Sequence, residues 1–180
     1  MEHKPQIISN DDDLVQELQG RITGGVQLIA IDGFSGAGKS TTSRLIARAC
    51  QIDCIELDHF VERNPEGAFL EFINYARLAE SVRIHRAAKK AVLIEGVCVQ
   101  AVLKQISVAE SLHVYVKRTG PYRLWYDGVT LDRFPTLEDA LAYEQRLLGS
   151  MDGLTRDVLR YHYDYMPHQT ADLVYERQQV

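Results

Sequence analysis

Apolar residues are grouped along this chain in two ways, as short dense runs and as longer stretches with helical spacing. The dense runs cover 26–31, 52–57, 91–94, 112–116 and a short piece around Leu173, Val174 and Tyr175. The run Ala91, Val92, Leu93, Ile94 has no polar alternate, as expected of a strand buried on both faces of a parallel sheet. Between the runs the spacing turns helical. Asp11 to Asp13 offer N-caps for a helix that points Leu14, Val15 and Leu18 inward and ends at Gly20. A second helix runs from Ser40 to about Ala49, and 65–90 is largely helical, with Phe69, Leu70, Phe72, Ile73 and Ala76 on one face. Residues 97–106 and 154–163 suit two more helices. Thr136 caps another, with Glu138 and Asp139 in its first turn and Gly149 just past its end. The residues before Asp11 read as a short tail. Strands alternating with helices imply an α/β fold with a mainly parallel sheet, and the lack of repeats or linkers implies one domain over 1–180.

Composition narrows the class without changing that picture. A chain of 180 residues, 46% hydrophobic and 25% charged, can bury a core without disulfides or metal. No apolar run approaches the ~20 residues of a membrane span, and the start lacks the apolar segment of a signal peptide, so a cytoplasmic protein is expected. Cys50, Cys54 and Cys98 are too few for a disulfide framework, lack a second half at zinc spacing, and are expected as reduced, small, packed residues. The formal charge of −5 speaks against nucleic acid as a partner. The one basic cluster, Arg83, His85, Arg86, Lys89 and Lys90, reads as a solvated helical face.

The chemistry enters after the first dense run. Gly33, Phe34, Ser35, Gly36, Ala37, Gly38, Lys39 and Ser40 form a complete GxxxxGK[ST] string between a strand and a helix. Glycines there let consecutive backbone N–H groups turn inward into an anion nest, and the following helix aims its positive end at the same point. A nucleoside triphosphate is the expected ligand, held by Gly33, Ser35, Gly36, Ala37, Gly38, Lys39, Ser40 and Thr41. Lys39 would reach the β- and γ-phosphates and the Ser40 hydroxyl would bind Mg²⁺. Asp58 and Glu95 each end a dense run, and ligands of open α/β sheets bind beyond strand carboxyl ends. Asp58 could accept a proton from an attacking hydroxyl or help hold Mg²⁺, and Glu95 could act on the metal directly or through water. His59 reads as an acceptor contact, and Tyr161, His162, Tyr163 and Tyr165 as a packing patch. Transfer of a phosphoryl group also needs cations near the γ-phosphate. Arg118, Arg123 and Arg133 lie in a Gly- and Pro-marked stretch suited to a mobile lid over about 117–153.

The strings IAIDGFSGAGKST, LDHF, VLIEGV, HVYV and YDYMPHQTADLVYE together resemble the uridine kinase-like branch of the P-loop kinases, relatives of nucleoside, pantothenate and phosphoribulose kinases. The resemblance spans roughly Leu28 to Tyr175. It implies a three-layer P-loop NTPase fold with a five-stranded parallel core and helical lid, ATP and Mg²⁺ as cofactors, and phosphorylation of a hydroxyl on a small metabolite. Asp58 matches the catalytic carboxylate, Lys39 and Ser40 the phosphate and metal positions, Glu95 the acid of the Glu-Gly pair, and Arg123 the lid arginine. The chain departs from the family at Val61, where a tyrosine is usual, and at Tyr126 and Asp127, where paired arginines are usual. It also lacks the Pro-x-Tyr-Asp acceptor hairpin over 64–90. The expected partners are a nucleoside triphosphate and a small-molecule hydroxyl acceptor, with no nucleic acid, no membrane, and room for a homodimer. A reading from another class is a P-loop ATPase or nucleotide-dependent switch acting on a protein partner. Asp58 separates the two, because a switch needs a group that positions water rather than an acceptor base.

Overall fold

A computed structural model describes residues 4–62, 68–88, 90–108, 111–120, 122 and 124–178. Six parallel strands form one sheet: β1 (Gln6–Ile8), β2 (Leu28–Asp32), β3 (Asp53–Glu56), β4 (Val92–Glu95), β5 (Leu112–Thr119) and β6 (Leu173–Gln178), in the order β1-β6-β5-β2-β4-β3. The helices are α1 (Asp11–Thr23), α2 (Lys39–Cys50), α3 (Tyr75–Ala87), α4 (Val99–Gln105), α5 (Val129–Arg133), α6 (Leu137–Leu148), α7 (Gly153–Tyr165) and α8 (Pro167–Thr170).

The strand residues divide strictly by parity, which makes the three layers. Ile29 and Ile31 of β2 join Leu93, Val114, Val116 and Leu173 in a core closed by Leu14 and Leu18 of α1 and Ile46 of α2. Leu28 and Ala30 join Val92 and Ile94 on the opposite face, closed by Leu78 and Val82 of α3 and Val99 and Val102 of α4. Both faces of β2 and β4 are therefore apolar, and the unbroken run at 91–94 needs no alternation.

The expected α/β fold is present, with one strand more than the five expected. Residues 6–8, read as tail, form edge strand β1 on β6. Three residues carry too little pattern to announce a strand, and their partner lies at the far end of the chain. The long helix expected over 65–90 is instead a 3-10 turn, Phe69–Phe72, followed by α3. Ile73 leaves the helix to bridge Val61, and the Asn74 side chain caps α3 by accepting from the Arg77 N–H. Helix α1 passes through Gly20 to Thr23, and its cap is Asn10, whose side chain accepts from the Asp13 N–H; the three aspartates occupy the first turn, where the helix dipole favours them. Strand β5 continues to Thr119, so Arg118 belongs to the sheet rather than to a loop. The predicted cap at Thr136 and stop at Gly149 are both present. All three cysteines are free thiols, Cys98 buried and the others half-buried. Among the described residues no helix is long and apolar enough to cross a membrane.

Candidate phosphate site

The sheet order sets the location. Strand β2 has β4 on one side and β5 on the other, and the chain reverses its winding there, which opens a crevice at the strand ends. The loop 33–38 leaves β2 at that crevice and feeds α2. Gly36 and Gly38 have φ of 77° and 97°, conformations that an L side chain resists. Gly33 is held as glycine by space: a methyl there would stand 2.6 Å from the Val116 carbonyl oxygen.

Register then sorts the acidic groups. Ile31 pairs with Glu95 and Glu95 with Glu56, so the end of β4 stands level with the start of the loop. The Ser40 hydroxyl donates to Glu95 Oε1 at 2.9 Å, joining the first turn of α2 to the end of β4. Burial pushes the Glu95 carboxyl above its usual range, against the pull of Ser40 and Lys39. The Lys39 ammonium donates to the Phe34 carbonyl at 2.7 Å and is almost fully enclosed. Burial lowers its pKa, and Asp32, Glu95 and Asp58 oppose that shift, which places Asp58 within electrostatic reach of the lysine. Asp58 itself is exposed, on the 3-10 turn Leu57–Phe60 that follows β3. The wall behind it is built by long-range contacts: Asn74 N–H to Phe60 O at 2.8 Å, Glu62 N–H to Phe72 O at 2.7 Å, and the Arg77 guanidinium stacked on the Phe60 ring.

The loop rests on a buried polar network that the sequence patterns do not reveal. Asp32 accepts the Gly33 N–H at 2.7 Å and the Tyr161 hydroxyl, and His113 Nε2 stands 3.5 Å away. Gln100 donates to His113 Nδ1 at 2.6 Å, which leaves the histidine proton on Nε2, facing the carboxylate. Burial alone would raise the Asp32 carboxyl, but His113 and Tyr161 outweigh it and hold it below its usual value. His162 stacks on Phe34 with 3.8 Å between ring centroids. Its Nδ1 donates to the Val158 carbonyl at 2.7 Å, so Nε2 is left to accept from the Tyr115 hydroxyl at 2.8 Å. Tyr161 and His162, expected as packing, do pack, and their target is the phosphate loop. Their i, i+1 placement on α7 gave no sign of it. Only the turn-by-turn docking of α7 against α4 and the loop brings them there.

The lid region is less uniform. Arg118 is engaged by Asp127 at 2.5 Å, and Arg133 lies over the rings of Phe134 and Tyr143. Arg123 lies outside the described residues. A cleft of about 310 Å³ between loop and lid is bordered by Phe34, Ser35, Asp127 and Glu144 and by the first turn of α7. On the other side, a methyl built on Gly38 would meet Arg177 of β6 at 2.7 Å from Nη1 and 3.1 Å from Cζ. The guanidinium therefore lies directly against the last glycine of the loop.

No protein-family model matches the chain, and no curated protein matches it in sequence. Solved structures do. A candidate fructose transport system kinase from Silicibacter sp. TM1040 superposes with a TM-score of 0.51 over 93% of this chain and 99% of its own, at 18% identity. A shikimate kinase from Bacteroides thetaiotaomicron aligns at 15% identity and TM-score 0.35, covering 83% of this chain and 85% of its own. At such identities the first superposition speaks for architecture alone: this chain is similar to a P-loop kinase in fold, and its fold is the three-layer α/β fold of the P-loop NTPases.

Proposed function

We propose that this chain is a uridine kinase-like, ATP-dependent small-molecule kinase that transfers the γ-phosphoryl group to a hydroxyl of a metabolite. The observation that carries the reading is the Ser40 to Glu95 hydrogen bond beside the enclosed Lys39 ammonium, with Asp58 at the neighbouring strand end. That set offers a cation for phosphate oxygens, a hydroxyl and a carboxylate for a divalent metal, and a further carboxylate open to solvent.

The metal residues fit Mg²⁺ by their chemistry. Ser40 and Glu95 are hard oxygen ligands already in contact, and the burial that raises the Glu95 pKa is the penalty a divalent cation would relieve. Asp58 is the third oxygen donor at this end of the sheet. Among the described residues no group of three His, Cys, Asp or Glu is arranged to hold a metal, so the rest of the coordination would come from phosphate and water. A divalent metal held by Ser40, Glu95 and Asp58 would supply charge neutralisation to the triphosphate.

The protein's own residues divide the remaining work. Backbone N–H groups of Gly36 and Gly38, with Gly33, Ser35, Ala37 and Thr41 alongside, hold the triphosphate against the positive end of α2, while the Gly33 N–H is kept by Asp32. Lys39 gives up the Phe34 carbonyl for phosphate oxygens. Asp58 takes the proton of the acceptor hydroxyl, which lies over the wall made by residues 57–62 and 68–77. Arg123 and the lid, which begins after β5 and runs to about residue 153, complete the charge balance and exclude water, within one domain spanning 1–180. A nucleoside triphosphate and a hydroxyl acceptor are the partners.

An ADP-release assay with a metabolite panel tests this reading. ADP should appear at a rate that rises with one acceptor in the nucleoside, sugar or vitamin class, and Lys39→Ala should lower that rate about 100-fold or more, the loss of roughly 3 kcal/mol of charge stabilisation. ADP formed at one rate with every additive would instead mark the chain as an ATPase.

A further inference from the structure

We infer that Arg177 forms a nucleoside-side anion subsite, taking the α-phosphate of the bound nucleotide at the end of β6; the inference rests on the donor reading above. The geometry is one-sided. Glu95 and Asp58 stand at the ends of β4 and β3, to one side of the loop strand β2, and mark where the metal and the γ-phosphate lie. A triphosphate with that end at β4 and β3 runs its α-phosphate and nucleoside toward β5 and β6. Arg177 stands on β6, with its guanidinium against Gly38.

The charge balance supports the same assignment. Residue 38 is the N-cap of α2, a helix of 12 residues, so Arg177 sits at the helix's positive end. A guanidinium held against the positive end of a helix is unfavourable unless an anion joins them. Arg118, the Cα partner of Arg177 on β5, is neutralised by Asp127. No carboxylate within ion-pair distance of the Arg177 guanidinium is found among the described residues. Its planar fork suits a phosphate, which it can meet with two parallel N–H donors.

Binding of Mg-ATP, Mg-ADP and magnesium pyrophosphate to the wild-type chain, Arg177→Gln and Arg177→Lys, measured by calorimetry, tests the subsite. Pyrophosphate carries two phosphoryl groups, enough for the β- and γ-positions at the metal end and none for the α-position, so it separates the two ends of the site. The expected result for Arg177→Gln is a loss of about 10-fold or more in affinity for both nucleotides, the scale of one charge-assisted hydrogen bond, with pyrophosphate changed much less. Arg177→Lys should fall between, because it keeps the charge and loses the fork. Equal losses for nucleotides and pyrophosphate, or nucleotide binding unchanged in both variants, would overturn the inference while leaving the donor reading in place. A wild-type chain that binds neither ligand overturns both. Matching circular dichroism and thermal midpoints establish that the variants are folded.

Discussion

At the residue scale, the site is a balance between burial and charge, and pH exposes it. Glu95 is pushed up by burial, so the folded chain holds its proton more tightly than the unfolded chain does. Its stabilising contribution is therefore complete below the ordinary value of 4.5 and is lost as pH rises through the elevated folded value. Glu95→Gln should raise the thermal midpoint of the ligand-free chain at neutral pH, with the gain over wild type shrinking toward pH 4.5, and should at the same time weaken Mg²⁺-dependent nucleotide binding. His168 works in the opposite direction. Burial beside Trp125 and His162 lowers its pKa from 6.5 to about 4. As pH falls between those values the unfolded chain takes up a proton that the folded chain refuses, and stability falls. Differential scanning calorimetry from pH 7 to 4 should show this acid limb in wild type and a flatter one in His168→Gln. Gly33→Ala tests the loop itself. Its methyl would meet a backbone carbonyl that cannot rotate away, so a loss of about 1–3 kcal/mol is expected in chemical denaturation.

Secondary-structure elements show what local pattern can and cannot carry. Strands β2 and β4, the phosphate loop, and helix α6 between Thr136 and Gly149 were legible because each is written in consecutive residues: a dense apolar run, a glycine string, a cap and a stop. The stretch 65–90 misleads because Phe69, Leu70, Phe72 and Ile73 have helical spacing, but their burial is decided by partners elsewhere. Ile73 pairs with Val61, and the Leu70 N–H goes to the Asp157 carboxylate on α7 at 3.0 Å. Asp157→Ala should leave that N–H without its charged acceptor, costing about 1–3 kcal/mol and speeding amide exchange at Leu70. The same kind of distant pairing hid β1 and the network of Asp32, His113 and Tyr161. In each case the information lies between segments rather than within one.

For the whole molecule, sheet order turns these parts into a polarised site. Carboxylates gather on the β3 and β4 side of the loop strand and a guanidinium stands on the β6 side, so a triphosphate bound as proposed would have one favoured direction across the crevice. The sequence gives Asp58, Glu95 and the loop separately; only the order β1-β6-β5-β2-β4-β3 places them at one edge. Mg-ATP bound to the native chain alone should raise its stability by about 2.7 kcal/mol at 100 times its dissociation constant, read as a shift of the thermal midpoint. The central claim is transfer to a hydroxyl, and phosphorus NMR of Mg-ATP with an acceptor identified by ADP release tests it most directly, on the wild-type chain and on Asp58→Asn. The account predicts a phosphomonoester resonance with wild type, lost by a factor of about 100 or more in Asp58→Asn while ATP affinity stays within a few-fold. A γ-phosphate that appears only as inorganic phosphate, or an Asp58→Asn chain that makes the ester at the wild-type rate, would contradict it.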